Sequence, residues 1–199
     1  MKVVFCDNHI LVAVKPAGLP TQAEEGEKSL QTEAQAWVKK KYQKKGNVFL
    51  HPVHRLDTPV SGLVLFARTS KALSRLNQMM REHKIEKTYT ALVEGHLAEK
   101  EGTLKHKLLH GEHKALVSSK GKEAVLDYKV LKIIKDNTLV EIKLHTGRYH
   151  QIRAQFSSIG HPVVGDTKYG AKISGSLHLS SSRLVFTHPV TQERLTIKL

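Results

Sequence analysis

The stretch Val60-Ser61-Gly62-Leu63-Val64-Leu65-Phe66-Ala67 is a nearly continuous apolar run. A run of this kind, without the alternation of a half-exposed strand, is typical of a strand buried at the centre of a sheet. The loop directly before it contains His54-Arg55-Leu56-Asp57, which places a carboxylate beside two basic side chains. Turn chemistry alone also explains this carboxylate, because Asp often bonds turn amides ahead of a proline such as Pro59. Its position alone therefore gives Asp57 no chemical role.

Turn residues and hydrophobic spacing around this strand predict further short strands and three helices. The predicted elements are strands within 3–14, 87–93 and 184–199, a hairpin of 124–134 and 138–144 turning at Asp136-Asn137, an exposed arm or hairpin at 100–123, and helices at 30–45, 70–80 and 149–159. Ser29 and Gly46 are the predicted limits of the first helix. Most strands are joined too tightly for parallel crossovers. The sequence therefore predicts an α+β fold with a mixed, largely antiparallel β-sheet and flanking helices, in a single domain over residues 1–199.

The charge of the chain indicates what it binds. The 32 Lys and Arg against 18 Asp and Glu give a formal net charge of +14. Such an excess favours a polyanionic partner, most often a nucleic acid. No stretch approaches the roughly 18 apolar residues that cross a bilayer. The single cysteine, Cys6, excludes an internal disulfide and fits a reducing compartment. We therefore expect a cytoplasmic monomer that binds nucleic acid and no membrane.

Several motifs make the chain resemble a known family. His54-Arg55-Leu56-Asp57, followed by Ser61-Gly62-Leu63, is similar to the signature of the RluA family of pseudouridine synthases. The other motifs that resemble this family are Lys15-Pro16-Ala17-Gly18, Lys87-Thr88-Tyr89-Thr90-Ala91, Thr146-Gly147-Arg148-Tyr149-His150-Gln151-Ile152-Arg153, Gly160-His161-Pro162-Val163-Val164-Gly165-Asp166 and Phe186-Thr187-His188-Pro189. They occur in the family's order from about residue 3 to 199. The resemblance therefore implies the pseudouridine synthase catalytic fold and an RNA uridine isomerase.

The resemblance also assigns catalytic residues. Asp57 is the expected essential carboxylate, which attacks C1′ of the ribose or takes a proton from C2′ while the uracil is rotated and rejoined through C5. Arg153 is expected to pair with Asp57 and keep it ionised. Tyr89 is expected to stack on the target base and to assist removal of the C5 proton. The reaction is redox-neutral, so no metal or other cofactor is expected.

RNA contacts follow from the same resemblance. The target base must be flipped out of its stack to reach the carboxylate. Arg55 is expected to fill the vacated space, with His54 beside it. Arg148 is expected to bind the phosphate backbone. Lys15 is a weaker candidate, which either supports the site or contacts RNA. The expected substrate is a stem-loop of rRNA or tRNA.

Two features depart from the family pattern. Where the family has Leu-His-Ala, this chain has Leu179-Ser180-Ser181, so Ser180 replaces a histidine. The Lys-Pro motif starts by residue 15, so we expect no S4-type RNA-binding domain before it and expect the catalytic domain itself to select the target. A diverged, non-catalytic RNA-binding protein is the alternative. It would have lost Asp57, Tyr89 or Arg153, and all three are present.

The thirteen histidines suggest a zinc site as a second alternative. His106, His110 and His113 have the spacing of one helical face. Gly102 and Gly111 disfavour a helix there, and no Cys or Glu motif accompanies the histidines. The sequence therefore predicts no metal site.

Overall fold

A computed structural model of the chain describes residues 1–24 and 26–199. The elements in this part of the chain are β1 (Lys2–Cys6), β2 (Ile10–Lys15), α1 (Leu30–Lys41), β3 (His51–Pro52), β4 (Ser61–Ala67), α2 (Ser70–Arg81), β5 (Glu86–Glu94), β6 (Glu101–His110), β7 (Ala115–Val117), β8 (Lys122–Ile134), β9 (Asn137–Leu144), α3 (Gln151–Ser158), a 3-10 turn (Thr167–Tyr169), β10 (Leu179–Thr187) and β11 (Arg194–Lys198). The strand pairs with a defined register are antiparallel. The predicted α+β class, with a largely antiparallel sheet, is confirmed.

The chain forms two compact units. The first consists of residues 1–85 and 181–199, and the second of residues 86–180. The second unit is therefore inserted into the sequence of the first. The single domain over residues 1–199 stays a prediction.

The first unit is built around the apolar run that decided the sequence interpretation. β4 pairs with β2 in a register that joins Ile10 to Ala67 and Lys15 to Gly62. Six of the seven β4 residues are buried, as predicted for a central strand. Each fully buried aliphatic or aromatic side chain here contributes about 1.5–3 kcal/mol of transfer free energy. Ala72 and Leu76 of α2 pack into the same core.

Both helices of the first unit begin where the sequence predicts. Ser29 caps α1 in a capping box with Thr32, and Thr69 caps α2 by accepting a hydrogen bond from the Ala72 amide. The predicted end of α1 near residue 45 is wrong, because the helix stops at Lys41. Gln43 then takes a left-handed backbone with φ 49°. A non-glycine residue thus makes the helix-ending turn expected of Gly46.

The second unit is a five-stranded antiparallel arrangement in the order β5-β9-β8-β6-β7. The predicted hairpin of β8 and β9 is confirmed, but its turn lies at Lys135-Asp136, one residue before the predicted position. Lys135 supplies the left-handed conformation that the tight turn needs, with φ 53°. The predicted arm at 100–123 is the β6–β7 hairpin and its neighbouring turn.

Helix α3 is shorter than predicted. It begins at Gln151 instead of residue 149, because His150 has a left-handed backbone with φ 50° and interrupts the helix. Residues 151–156 are all buried, whereas Ser157 is half-buried and Ser158 is exposed. No helix in the described part of the chain is long and apolar enough to span a membrane.

Candidate active site and nucleic-acid interface

The Asp57 loop (residues 54–58) immediately precedes the buried strand β4. Asp57 itself is half-buried. The Thr21 hydroxyl donates to the Leu56 carbonyl at 3.0 Å and accepts from the Leu56 amide at 3.1 Å. Thr21 is buried, so these two bonds have no competing water. The side chain of Thr21 therefore binds both the amide and the carbonyl of Leu56, the residue directly before Asp57.

Lys15 fixes the loop on the other side of Asp57. Its side chain is completely buried. The ammonium donates to the carbonyls of Leu19 at 2.6 Å, Thr58 at 2.9 Å and Pro16 at 3.0 Å. The Gly18 amide also donates to the Thr58 carbonyl, at 2.8 Å. The Lys-Pro-x-Gly turn therefore holds the residue directly after Asp57.

The charge state of Lys15 depends on burial. Burial lowers the pKa of Lys15 from 10.5 to about 8, and the negative charge of Asp57 acts in the opposite direction and favours the ammonium. The three N–H donors of this buried ammonium are all used by backbone carbonyls of the protein. This arrangement favours the supporting role that the sequence allowed for Lys15, and a direct RNA contact is disfavoured by burial.

Gly62 fixes the start of β4 close to Asp57. It has φ 115°, a conformation that side chains rarely adopt. A Cβ at this position would collide with the backbone of Ser181 in β10. Ser181, which follows the Ser180 substitution noted in the sequence, is completely buried. Only glycine allows β4 and β10 this close approach.

Tyr89 lies in the middle of β5 in the second unit. It pairs with Ile142 of β9 and is 7% exposed. Lys87 and Tyr89 are two residues apart on the same strand and share one face. Lys87 is 9% exposed, and burial lowers its pKa. No role was predicted for Lys87, although a lysine inside a strand of buried residues is itself a signal of function.

Arg153 is held by a carboxylate that the sequence did not predict. Its Nε donates to Asp166 Oδ2 at 2.6 Å and its Nη2 donates to Asp166 Oδ1 at 2.8 Å. Both side chains are nearly inaccessible to solvent. The guanidinium also lies 5.0 Å from the ring centre of Tyr169. This bidentate pair fixes the plane of the guanidinium. The sequence signal for this pair was Asp166, the acidic residue at the end of the Gly160–Asp166 motif, because a buried carboxylate needs a cation as its partner.

The three catalytic candidates are divided between the units. Asp57 belongs to the first unit, while Tyr89 and Arg153 belong to the second. The pairing of Asp57 with Arg153 stays a prediction. Within the first unit, the negative charge of Asp57 acts on the buried ammonium of Lys15.

The candidates for RNA contact occupy different environments. Arg55 is exposed at the tip of the Asp57 loop. His54 is half-buried, and its Nε2 accepts a hydrogen bond from the Leu65 amide at 3.2 Å, which ties the loop to β4. Arg148 is exposed and lies before α3, where its Nε donates to the Glu123 carbonyl at 2.9 Å. Arg55 and Arg148 therefore have the exposure that an RNA contact requires.

The histidines considered for zinc are not on a helix. His106 and His110 lie on β6, and His113 follows that strand. His106 Nδ1 is 3.1 Å from the side-chain amide nitrogen of Gln155. His110 stacks on Tyr149. The described residues contain no group of three or more His, Cys, Asp or Glu placed to hold a metal ion.

Comparison with known proteins identifies the family. Residues 9–158 match the family model described as RNA pseudouridylate synthase. The chain belongs to this family. It is an isomerase that acts on uridine in RNA, and the predicted RluA resemblance is confirmed.

Three relatives match nearly the whole chain. The dual-specificity RNA pseudouridine synthase RluA of Pasteurella multocida is 36% identical over 98% of this chain and 91% of its own length. An RNA pseudouridine synthase of Bacillus subtilis is 35% identical over 97% of this chain, which spans 66% of that protein. The tRNA pseudouridine synthase C of Vibrio parahaemolyticus is 34% identical over 100% of this chain and 89% of its own length.

A solved structure shares the fold. The human RNA pseudouridylate synthase domain containing 4 has a TM-score of 0.84 at 22% identity, covering 99% of this chain and 87% of that one. The pseudouridine synthase fold that the motifs implied is therefore confirmed.

Proposed function

We propose that this enzyme converts a specific uridine in an rRNA or tRNA stem-loop to pseudouridine, with Asp57 as the catalytic carboxylate. The observation that carries this assignment is the double anchoring of the Asp57 loop. Thr21 holds the Leu56 backbone, and Lys15 and Gly18 hold the Thr58 carbonyl. A carboxylate between two such anchors is preorganised for chemistry and needs little reorganisation during the reaction.

The proposed reaction breaks the N1–C1′ bond and forms a C5–C1′ bond. Asp57 either attacks C1′ or removes a proton from C2′, and both routes use an ionised carboxylate. The proton on C5 is lost once C5 has become the glycosidic carbon, and N1 gains one. Tyr89 stacks on the base, and its hydroxyl assists transfer of the C5 proton. No metal or redox cofactor enters this scheme.

Arg153 is proposed to pair with Asp57 while Asp166 orients it. A guanidinium has five N–H donors, and the bonds to Asp166 use two of them. Asp166 therefore acts as a positioning residue that fixes the plane of the guanidinium. Arg55 is proposed to enter the space left by the flipped base, with His54 holding the loop behind it.

The target is proposed from the relatives' names. One relative is a tRNA pseudouridine synthase and another is a dual-specificity RNA pseudouridine synthase. A compact stem-loop fits selection by the catalytic domain's own basic surface, and a uridine already unpaired in a loop flips at lower cost. We propose that the enzyme acts in the cytoplasm as a monomer.

Release of C5 hydrogen tests the proposal. Bulk rRNA and tRNA labelled with tritium at uridine C5, isolated from cells lacking the gene, serve as substrates for the purified protein. Tritium release limited to a defined number of sites is expected, with Asp57→Asn as the inactive control. RNA binding without tritium release from either RNA class contradicts the proposal and favours a non-catalytic RNA-binding protein.

A further inference from the structure

The second unit contains a cavity that the proposed chemistry does not use. Its volume is about 350 Å³, within the usual size of small-molecule sites. The residues that line it are Leu108, Leu109, His110, Ala115, Lys120, Gly121, Lys122, Gly147, Arg148 and Tyr149. Basic and aromatic side chains therefore meet on an otherwise apolar wall. We call this the Tyr149 cavity.

One wall of the cavity is an aromatic column of three rings. His110 stacks on Tyr149 with ring centroids 4.2 Å apart, and Tyr149 stacks on His150 with centroids 3.8 Å apart. His110 and Tyr149 line the cavity, while His150 is buried. Planar rings stacked in this way form a platform that a nucleobase can extend.

The inner end of the column is rigidly held. His150 Nδ1 lies 2.9 Å from the Tyr169 hydroxyl, which also accepts a hydrogen bond from the Ala115 amide at 2.7 Å. Burial raises the pKa of Tyr169 to about 12, so the hydroxyl keeps its proton and can donate it to His150. His150 adopts the left-handed backbone noted above. A strained backbone kept in place by buried hydrogen bonds is common at binding sites.

The cations at the cavity lack acidic partners. Lys120, Lys122 and Arg148 are exposed, and none of them forms an ion pair with a described residue. Arg148 is tethered through Nε to the Glu123 carbonyl, which aims its guanidinium without neutralising it. Three uncompensated cations at one opening create a positive potential that attracts an anion.

Lys87 provides an independent indication of an anion. Its side chain is more than nine-tenths buried, and burial lowers its pKa. No described residue accepts a hydrogen bond from its ammonium or forms an ion pair with it. The ammonium lies 3.1 Å from the position that a Cβ on Gly147 would occupy, at the cavity wall. The Nζ atom is not among the fully buried polar atoms that lack a partner, so the tip of this otherwise buried side chain stays accessible to an anion.

We propose that the Tyr149 cavity binds one nucleotide of a single-stranded segment of the RNA substrate, with its base on the aromatic column and its phosphate between Lys87 and the exposed cations. The inference rests on the RNA substrate proposed above and adds a nucleotide subsite to it. An inorganic anion alone would leave the rings without a role, and the acidic side chains of a peptide have no ring that could extend the column. A nucleotide uses both features.

Stacking and charge are separated by two probes of matched charge. Binding of a fluorescein-labelled eight-nucleotide oligouridylate is measured by anisotropy, and binding of inorganic polyphosphate is measured by displacement. We expect Tyr149→Ala to weaken oligouridylate binding about tenfold while polyphosphate binding is unchanged. Tyr149→Phe should restore oligouridylate binding, because it keeps the ring. Equal loss for both probes, or no loss for either, overturns the base subsite.

The phosphate contact is tested through the salt dependence of oligouridylate binding. Lys87→Met and Arg148→Ala should each reduce the log–log salt slope by about 0.7. Lys132→Met, which removes an exposed charge from β8 away from the cavity lining, is the matched control and should leave the slope closer to that of the wild type. A larger effect from Lys132→Met than from Lys87→Met would refute the phosphate assignment.

Failure of this inference is distinguishable from failure of the proposed function. If the wild-type protein releases tritium from RNA and the Tyr149→Ala variant binds oligouridylate normally, the proposed isomerase function stands and the nucleotide subsite is refuted. If no tritium is released but oligouridylate affinity depends on the Tyr149 ring, the nucleotide subsite is supported and the proposed reaction is refuted.

Discussion

Two buried lysines, one in each unit, differ in whether the protein supplies hydrogen-bond acceptors for their ammonium groups. Lys15 beside the Asp57 loop gives its ammonium to three backbone carbonyls. Lys87 on β5 has no such acceptor among the described residues. Both lose solvation, and burial lowers the pKa of each. A buried cation that the protein itself satisfies is part of the scaffold, whereas one left without acceptors is available to a ligand.

This difference suggests a division of labour. The first unit holds a carboxylate whose loop is anchored on both sides by protein groups. The second unit holds the cations and rings that we propose as contacts for RNA. Variants in the first region should therefore affect chemistry and stability, and variants in the second should affect affinity.

Asp57→Asn should give the largest effect on turnover and should leave RNA affinity unchanged. We expect tritium release to fall by roughly 10⁴-fold or more, because the amide is neither a nucleophile nor a base. Oligouridylate affinity should remain close to the wild-type value, since the cations are untouched. Mass analysis should first exclude deamidation of the new asparagine. Full turnover in an intact variant would remove Asp57 from the mechanism.

Asp166→Asn tests a cation of the second unit that does have a protein partner. Breaking a buried ion pair leaves the Arg153 guanidinium partly uncompensated and should lower the free energy of unfolding by about 3–5 kcal/mol. Asp127→Asn is the matched control, because its pair with His145 is largely exposed and should contribute less than about 1 kcal/mol. Urea denaturation measures both. Similar losses in the two variants would contradict a special role for the buried pair.

The pH dependence of stability tests the burial of Lys15. Folding lowers the pKa of Lys15 from 10.5 to about 8, so between these values the unfolded chain binds more protons than the folded one. Stability relative to a Lys15→Met variant should therefore rise with pH across this window, by on the order of 3 kcal/mol in total. Urea denaturation at pH 7.5 and 10.5 provides the measurement. A stability difference independent of pH would show that Lys15 titrates as in water.

Thr21→Val tests the other anchor of the Asp57 loop. The substitution keeps the shape and leaves the Leu56 amide and carbonyl without their buried partner, which should cost about 2 kcal/mol of unfolding free energy. Turnover should fall through kcat, because the carboxylate is less well positioned. Thr103→Val is the control, since Thr103 is exposed and bonds only Asp127. Unchanged stability and turnover for Thr21→Val would show that the anchoring is unnecessary.

Lys87→Met should have the smallest effect on stability and the opposite sign. Burial disfavours the charged form of this lysine and lowers its pKa, so its replacement is expected to raise the free energy of unfolding by up to about 1 kcal/mol. The same change weakens RNA binding if Lys87 is a ligand for phosphate. Thermal denaturation with and without oligouridylate measures both quantities. A clear loss of stability would place Lys87 with Lys15 among the scaffold lysines.

The sequence predicted the features that local patterns determine. β4, the Ser29 cap and the position of Asp57 in a loop before a buried strand follow from neighbouring residues. The ends of α1 and α3 were wrong, because Gln43 and His150 adopt left-handed backbones that the sequence associates with glycine. Propensity therefore fails where tertiary packing imposes an unfavourable conformation.

The long-range contacts of the sites were beyond sequence patterns. The Arg153–Asp166 pair depends on how the loop after α3 returns to the helix, and the His110–Tyr149 stack joins residues 39 positions apart. Neither leaves a periodic signal. The family motifs nevertheless contain Arg153, Asp166 and Tyr149. The resemblance therefore indicated which segments matter, but not which of their side chains are in contact.

The insertion of the second unit into the first has a consequence during translation. β4 neighbours both β2 and β10, but β10 follows the whole second unit in the chain. Ribosomes add roughly 5–20 residues per second, so residues 86–180 take on the order of 5–20 s to emerge. During this interval β4 has its partners β2 and the two-residue strand β3, but the part of its edge that pairs with β10 is exposed. Such an unpaired edge attracts other chains, so the newly made protein should depend on chaperones until residues 181–199 arrive.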